Sequence, residues 1–200
     1  MRLGGPVTTK YDNPEEWVAA LQELGYRAAY CPVDNNAGES TIAAYAKAAK
    51  QANIVIAEVG AWNNPLCSDS KEREAAIIYN QKQLELADRI GASCCVNISG
   101  SRGKKWDGPH VDNLTEATYA LIVDTVRAII DAVKPKHSVY TLEPMPWAYP
   151  DSADSYLKLI ADIDRKEFSA HMDMVNWINS PEKYFKNAQF IKECFKKLGP

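Results

Sequence analysis

Six runs of β-branched and small apolar residues alternate with amphipathic helical patterns, and this rhythm restricts the chain to a parallel α/β fold. The strand-like runs fall near 3–8, 27–31, 54–59, 93–99, 138–143 and 168–174. Between them the apolar residues recur at helical spacing: Trp17, Leu21 and Leu24; Ile42, Tyr45 and Ala49; Ile77, Leu84 and Ala87. Ile122, Val126, Ile129 and Val133 follow, then Tyr156, Ile160 and Ile163, and finally Tyr184, Ala188, Ile191 and Phe195.

Local stop and start signals agree with this segmentation. Asn13 precedes Pro14 and Glu16, the pattern of an N-cap with proline in the first turn, and Gly25 stands at the helix end. Gly91 closes the third helix, and Ser180-Pro181-Glu182 opens the sixth. Low-complexity linkers are absent, so residues 1–200 read as one domain.

Six βα units have the spacing of a (β/α)8 barrel, which usually needs about 250 residues. The expectation is therefore an incomplete parallel barrel lacking its last two units. A doubly wound open sheet is the rival, but neither GxGxxG nor GxxxxGK[ST] follows an early strand. An unclosed barrel would leave unpaired strand edges, which favours a homo-oligomer.

Composition narrows the function classes. A net charge of -3 offers no broad positive field for nucleic acid or an anionic membrane. The amino terminus lacks a signal-peptide run and no stretch approaches a membrane span, so the expected location is cytoplasmic. Five cysteines, an odd number with no CxxC pair, read as reduced thiols rather than a disulfide framework or zinc ribbon.

Chemistry-bearing residues gather at the ends of the fifth and sixth strands. Glu143 sits at a strand end just before Pro144, and strand alternation over 171–173 places His171 and Asp173 on one face. Carboxylates in a barrel mouth are costly unless paired or bound to a cation, and oxygen ligands on adjacent strands suit Mg2+ or Mn2+. Taken alone, the same two residues equally fit helix caps or ion-pair partners.

Other residues carry two readings each. Trp62 either stacks on a sugar ring or covers the barrel end. Asn97 and Asn176 bind hydroxyls or stabilise loops, and His171 backs Asp173 or fills the barrel core. Glu58 is an inward polar residue of the mouth or a salt-bridge partner. Arg102, Lys104 and Lys105 engage a phosphate or carboxylate, or form a solvated loop face, and His110 has no evident partner.

The passages Leu142-Glu143-Pro144-Met145-Pro146-Trp147 and Ala170-His171-Met172-Asp173-Met174-Val175-Asn176-Trp177-Ile178-Asn179-Ser180-Pro181 resemble the sugar phosphate isomerase/epimerase family, the xylose-isomerase-like TIM barrels. The resemblance implies one divalent ion, Mn2+ first with Mg2+ or Co2+ as alternatives. In that family the ion is held by a Glu after strand five, an Asp after strand six, a His after strand seven and a Glu after strand eight. Glu143 and Asp173 match the first two, and the others have no counterpart here.

The implied activity is isomerisation or epimerisation of a small sugar or sugar phosphate by enediolate-type proton transfer, with Glu143 as a catalytic residue. Ketose 3-epimerases of the group continue after the strand-five Glu with Asn-Arg and another acid. Met145-Pro146-Trp147-Ala148-Tyr149-Pro150 stands here instead, so the substrate is read differently. A non-catalytic sugar-binding barrel is the alternative. An apurinic-site endonuclease ranks lower, with only three histidines and an acidic charge.

Overall fold

The computed structural model describes residues 1–199. Six parallel strands form one sheet in the sequential order β1-β2-β3-β4-β5-β6. The strands are β1 (Gly4–Gly5), β2 (Ala28–Tyr30), β3 (Val55–Gly60), β4 (Cys94–Asn97), β5 (Val139–Leu142) and β6 (Phe168–Ala170). Helices α1 (Pro14–Glu23), α2 (Glu39–Gln51), α3 (Ser70–Ile90), α4 (Glu116–Val133) and α5 (Ala153–Ile163) connect them. Short α6 (Met174–Trp177), α7 (Pro181–Phe185) and α8 (Asn187–Leu198) follow β6.

A doubly wound sheet would reverse its strand order at a switch point; unbroken sequential order is barrel geometry. Among the described residues β1 does not pair with β6, so the sheet is an open barrel of six strands. No helix of the described residues is long and apolar enough to cross a membrane.

The helix signals act where the sequence places them. The Asn13 side chain accepts from the Glu16 N–H at 2.9 Å, ahead of Pro14. Gly91 ends α3 at φ 76°, a left-handed conformation that glycine adopts without steric cost. Trp17, Leu21, Ile42, Tyr45, Ala49, Leu84, Ala87, Ile122, Val126 and Ile129 all enter the core between helices and sheet. The five cysteines are all unpaired.

Three expectations need correction. β6 ends at Ala170 rather than running on to 174, because the next N–H is taken by a side chain, as shown below. The last helix is broken at Lys186, and its expected stripe is misplaced: Tyr184, Ala188 and Phe195 face solvent while Cys194 is buried and Phe190 and Leu198 pack on the core. Leu24 likewise lies outside the buried stripe, at the exposed C-cap of α1.

Asp88, near the end of α3, fixes the start of β5. One oxygen accepts from the backbone N–H groups of Lys136, His137 and Ser138, at 2.8 Å for the first and 3.0 Å for the last. Partial burial opposes its ionisation, but the three donors outweigh burial and hold the carboxyl below its usual range. A lowered folded value means stability present above about pH 4 and lost as pH falls through that folded value. Asp88→Ala should cost about 1 kcal/mol in urea denaturation at pH 7, modest because the carboxylate is partly solvated. The difference from wild type should shrink as pH is lowered below 4, and a constant difference would rule the assignment out.

Candidate active site

The carboxyl ends of β5 and β6 are tied by one phenol. Ser152 caps α5 and forms a capping box with Ser155, which orients the first turn and drives Tyr156 inward, where it is 0% exposed. Its hydroxyl accepts from the N–H of Leu142 at 3.0 Å and of His171 at 3.1 Å. It donates toward the Leu142 carbonyl at 2.7 Å or the Ser169 carbonyl at 3.1 Å. This bond to His171 ends β6 and turns the chain into the His171–Asp173 segment. On the other flank, the Glu143 N–H reaches the Asn97 carbonyl at 2.7 Å, and Pro144 forbids a further rung.

The two motif segments then fold onto each other. Asp173 caps α6, accepting from the Asn176 N–H at 3.1 Å, while the Asn176 amide donates to Glu143 Oε1 at 3.1 Å. One asparagine thus orients both carboxylates. Behind it, buried Trp177 donates its indole N–H to the Pro150 carbonyl at 3.0 Å, and the Asn179 amide reaches the Pro146 carbonyl at 3.4 Å.

Glu143 and Asp173 open into a cleft of about 650 Å³ at the mouth of the sheet. Four acidic residues line it, Asp34, Glu58, Glu143 and Asp173, with no lysine or arginine. Burial, with the nearby Asp173 and Glu58 charges, raises the Glu143 carboxyl above its usual range, although His171 pulls the other way. Glu58 on β3 meets His171 Nε2 at 3.1 Å. Burial favours neutral imidazole there, yet the Glu58 bond and the charges of Glu58, Glu143 and Asp173 prevail and raise the His171 pKa.

The remaining sequence candidates divide. Trp62 lines the cleft, its indole folded back over Gly60, where a Cβ would collide with it. Asn176 lies behind the carboxylates and positions them. Asn97 is 0% exposed and does not reach the cleft; its amide bonds Asn63 at 3.2 Å and Asn80 at 3.0 Å, and the Tyr140 hydroxyl joins Asn80 at 2.7 Å. Of its two readings, the stabilising one describes what its amide does here: both bonds go to buried or half-buried asparagines. Arg102 faces a neighbouring pocket, one arm donating to the Leu66 carbonyl.

Sequence reasoning missed Tyr30 and Gln83, which also line the cleft. A register shift between Ala29 and Tyr30 brings Tyr30 opposite Glu58. Gln83 was signalled by two buried amides, Asn80 and Gln83, on the inner face of α3. Its Nε2 donates to the Gly60 carbonyl at 2.6 Å.

Glu143 and Asp173 are suited as two oxygen donors to a divalent ion: adjacent like charges, half-buried and held by a shared asparagine. Among the described residues no three His, Cys, Asp or Glu side chains are grouped to hold a metal.

A family model described as the xylose isomerase-like TIM barrel matches residues 18–196. Solved structures of the same fold include a D-psicose 3-epimerase with D-tagatose from Clostridium cellulolyticum H10, at TM-score 0.71 and 14% identity, with 99% of this chain and 71% of that chain covered. The 3-keto-D-glucoside 4-epimerase of E. coli aligns at TM-score 0.70 and 15% identity, over 100% of this chain and 77% of that one. A xylose isomerase-like TIM barrel protein from Mycobacterium smegmatis in complex with magnesium aligns at TM-score 0.62 and 18% identity, over 94% and 64%. Comparison with curated protein sequences finds no significant match.

Tyr156→Phe keeps the ring and deletes the shared hydroxyl, leaving the Leu142 and His171 N–H groups without it. Urea denaturation should show a loss of about 2 kcal/mol. Unchanged stability would mean that the hydroxyl does not hold the two strand ends together.

Proposed function

Since the chain belongs to the xylose isomerase-like TIM barrel family, we propose that it carries part of a divalent-metal-dependent centre for isomerising or epimerising a small sugar or sugar phosphate. The observation that carries this reading is Asn176 holding the Glu143 and Asp173 carboxylates together in an acidic cleft beside an exposed indole. Mn2+ is the preferred ion, with Mg2+ or Co2+ as substitutes; oxygen donors favour all three over softer-ligand chemistry. When bound, the ion supplies Lewis-acid polarisation of the sugar's carbonyl.

The protein's own groups supply the rest. Glu143, with its proton affinity raised by burial, takes a proton from the carbon beside the carbonyl and returns it to the neighbouring carbon on the same face, the transfer of an isomerisation, whereas an epimerisation needs a second acid–base group on the opposite face. Asp173 and Asn176 keep that carboxylate in place, and the Glu58–His171 pair forms the facing wall. Trp62 offers its flat face to the apolar side of a sugar ring. Unpaired thiols suit a cytoplasmic location.

A second reading is a sugar-binding barrel without catalysis, favoured by the absence of a three-group metal cluster among the described residues. Chelator separates the two. On the catalytic reading, D-tagatose incubated in heavy water with the chain and Mn2+ takes up deuterium at a carbon next to its carbonyl, slowly, because Glu143 and Asp173 are two of the four ligands that the resemblance implies. EDTA abolishes the uptake, and Glu143→Gln reduces it at least about a hundredfold. Sugar binding indifferent to EDTA, with no deuterium uptake, would overturn the catalytic reading in favour of the second.

A further inference from the structure

Beside the acidic cleft lies a larger pocket, about 790 Å³, that the proposed chemistry does not use. It separates the loop after β3 from the loop after β4. Its walls are firmly built. Asn64 donates to the Ser101 carbonyl at 2.8 Å and accepts from the N–H groups of Ser101 at 3.0 Å and Leu66 at 3.1 Å. Gly100, at φ 103°, lets the second loop approach, since a Cβ there would strike the Asn64 side chain. Buried Asn113 fastens the same loop from behind, accepting from the Arg102 N–H at 2.9 Å and donating to the Gly108 carbonyl at 3.1 Å.

Charge is divided between the two walls. The acids of the β3 side are engaged: Asp69 accepts the N–H groups of Lys71 and Glu72, both at 2.9 Å, and Glu72 accepts the Cys67 thiol at 3.2 Å. The opposite wall presents Arg102, Lys104 and the exposed indole of Trp106. Lys104 and Arg102 have no carboxylate partner among the described residues, whereas neighbouring Lys105 pairs with Asp107 at 3.2 Å. The adjoining cleft, lined by four acids and His171 but no lysine or arginine, is less favourable to the anions that this wall attracts.

We propose that this pocket is a second binding site, for a small planar molecule bearing a phosphate or carboxylate group. The anion lies between Lys104 and the free arm of Arg102, and the planar part lies on Trp106. Preformed walls mean that little ordering opposes binding. The site is separate from the Glu143 cleft and does not depend on the sugar-isomerising reading.

Calorimetric titration with phenyl phosphate, benzoate and neutral benzyl alcohol at matched ionic strength tests it. At least one anion should bind with heat and change the tryptophan fluorescence, while benzyl alcohol does not; the tighter anion identifies the head group. Lys104→Gln, at an exposed position, should weaken the anion about tenfold. Trp106→Phe should abolish the fluorescence change, and Glu143→Gln should leave the affinity as it was. Equal binding of benzyl alcohol, full affinity in Lys104→Gln, loss of binding in Glu143→Gln, or no binding of either anion at about 10 mM would each overturn the proposal.

Discussion

The Tyr156 hydroxyl, enclosed between β5 and β6, determines where the two sheet strands end and therefore where their functional side chains emerge. A parallel ladder ends with unpaired backbone groups, and burying these without partners is expensive. Here one phenol serves the Leu142 N–H and the His171 N–H together. The chain after β6 is released from strand geometry at a fixed point, so Asp173 becomes a helix cap and Asn176 falls within reach of Glu143. The Ser152 capping box, the Pro144 break and the buried Trp177 anchor reinforce that arrangement from three directions.

Around this frame the charges are sorted by place. Asp34, Glu58, Glu143 and Asp173 converge on one cleft, where burial and mutual repulsion raise the proton affinity of Glu143. Such a concentration is sustained by a cation, by shared protons, or by a cationic imidazole such as His171. Arg102 and Lys104 stand on the far side of the Trp62–Asn63 turn, in the adjacent pocket. An acidic cleft and a neighbouring pocket of mixed charge thus arise from loops that follow consecutive strands.

Much of the architecture was legible because it rests on local rules. The stripe Ile42, Tyr45 and Ala49, the Asn13 cap and the Gly91 stop follow from spacing and backbone preference alone, and all three act as expected. Long-range pairings were not legible. Glu58 and His171 are 113 residues apart, and nothing local in either segment announces their bond. Between the two readings of Asn97 the sequence could not choose, because its partners Asn63 and Asn80 lie 34 and 17 residues away. The last stripe failed because Lys186 cuts Tyr184 off from α8, and within α8 the face of Phe190, Cys194 and Leu198, one residue earlier than expected, meets the core. Asn176 had a signal of its own, three residues after a potential cap, and its second bond to Glu143 required the fold.

The central claim is that Glu143 and Asp173 are adjacent ligands of one divalent ion. Paramagnetic broadening by substoichiometric Mn2+ in the amide and side-chain NMR spectrum of the chain tests it most directly. The account predicts selective loss of the Asn176 side-chain amide and the Met172 and Met174 amide signals, abolished in Asp173→Asn. Broadening spread over exposed acids elsewhere, or unchanged in Asp173→Asn, would contradict it.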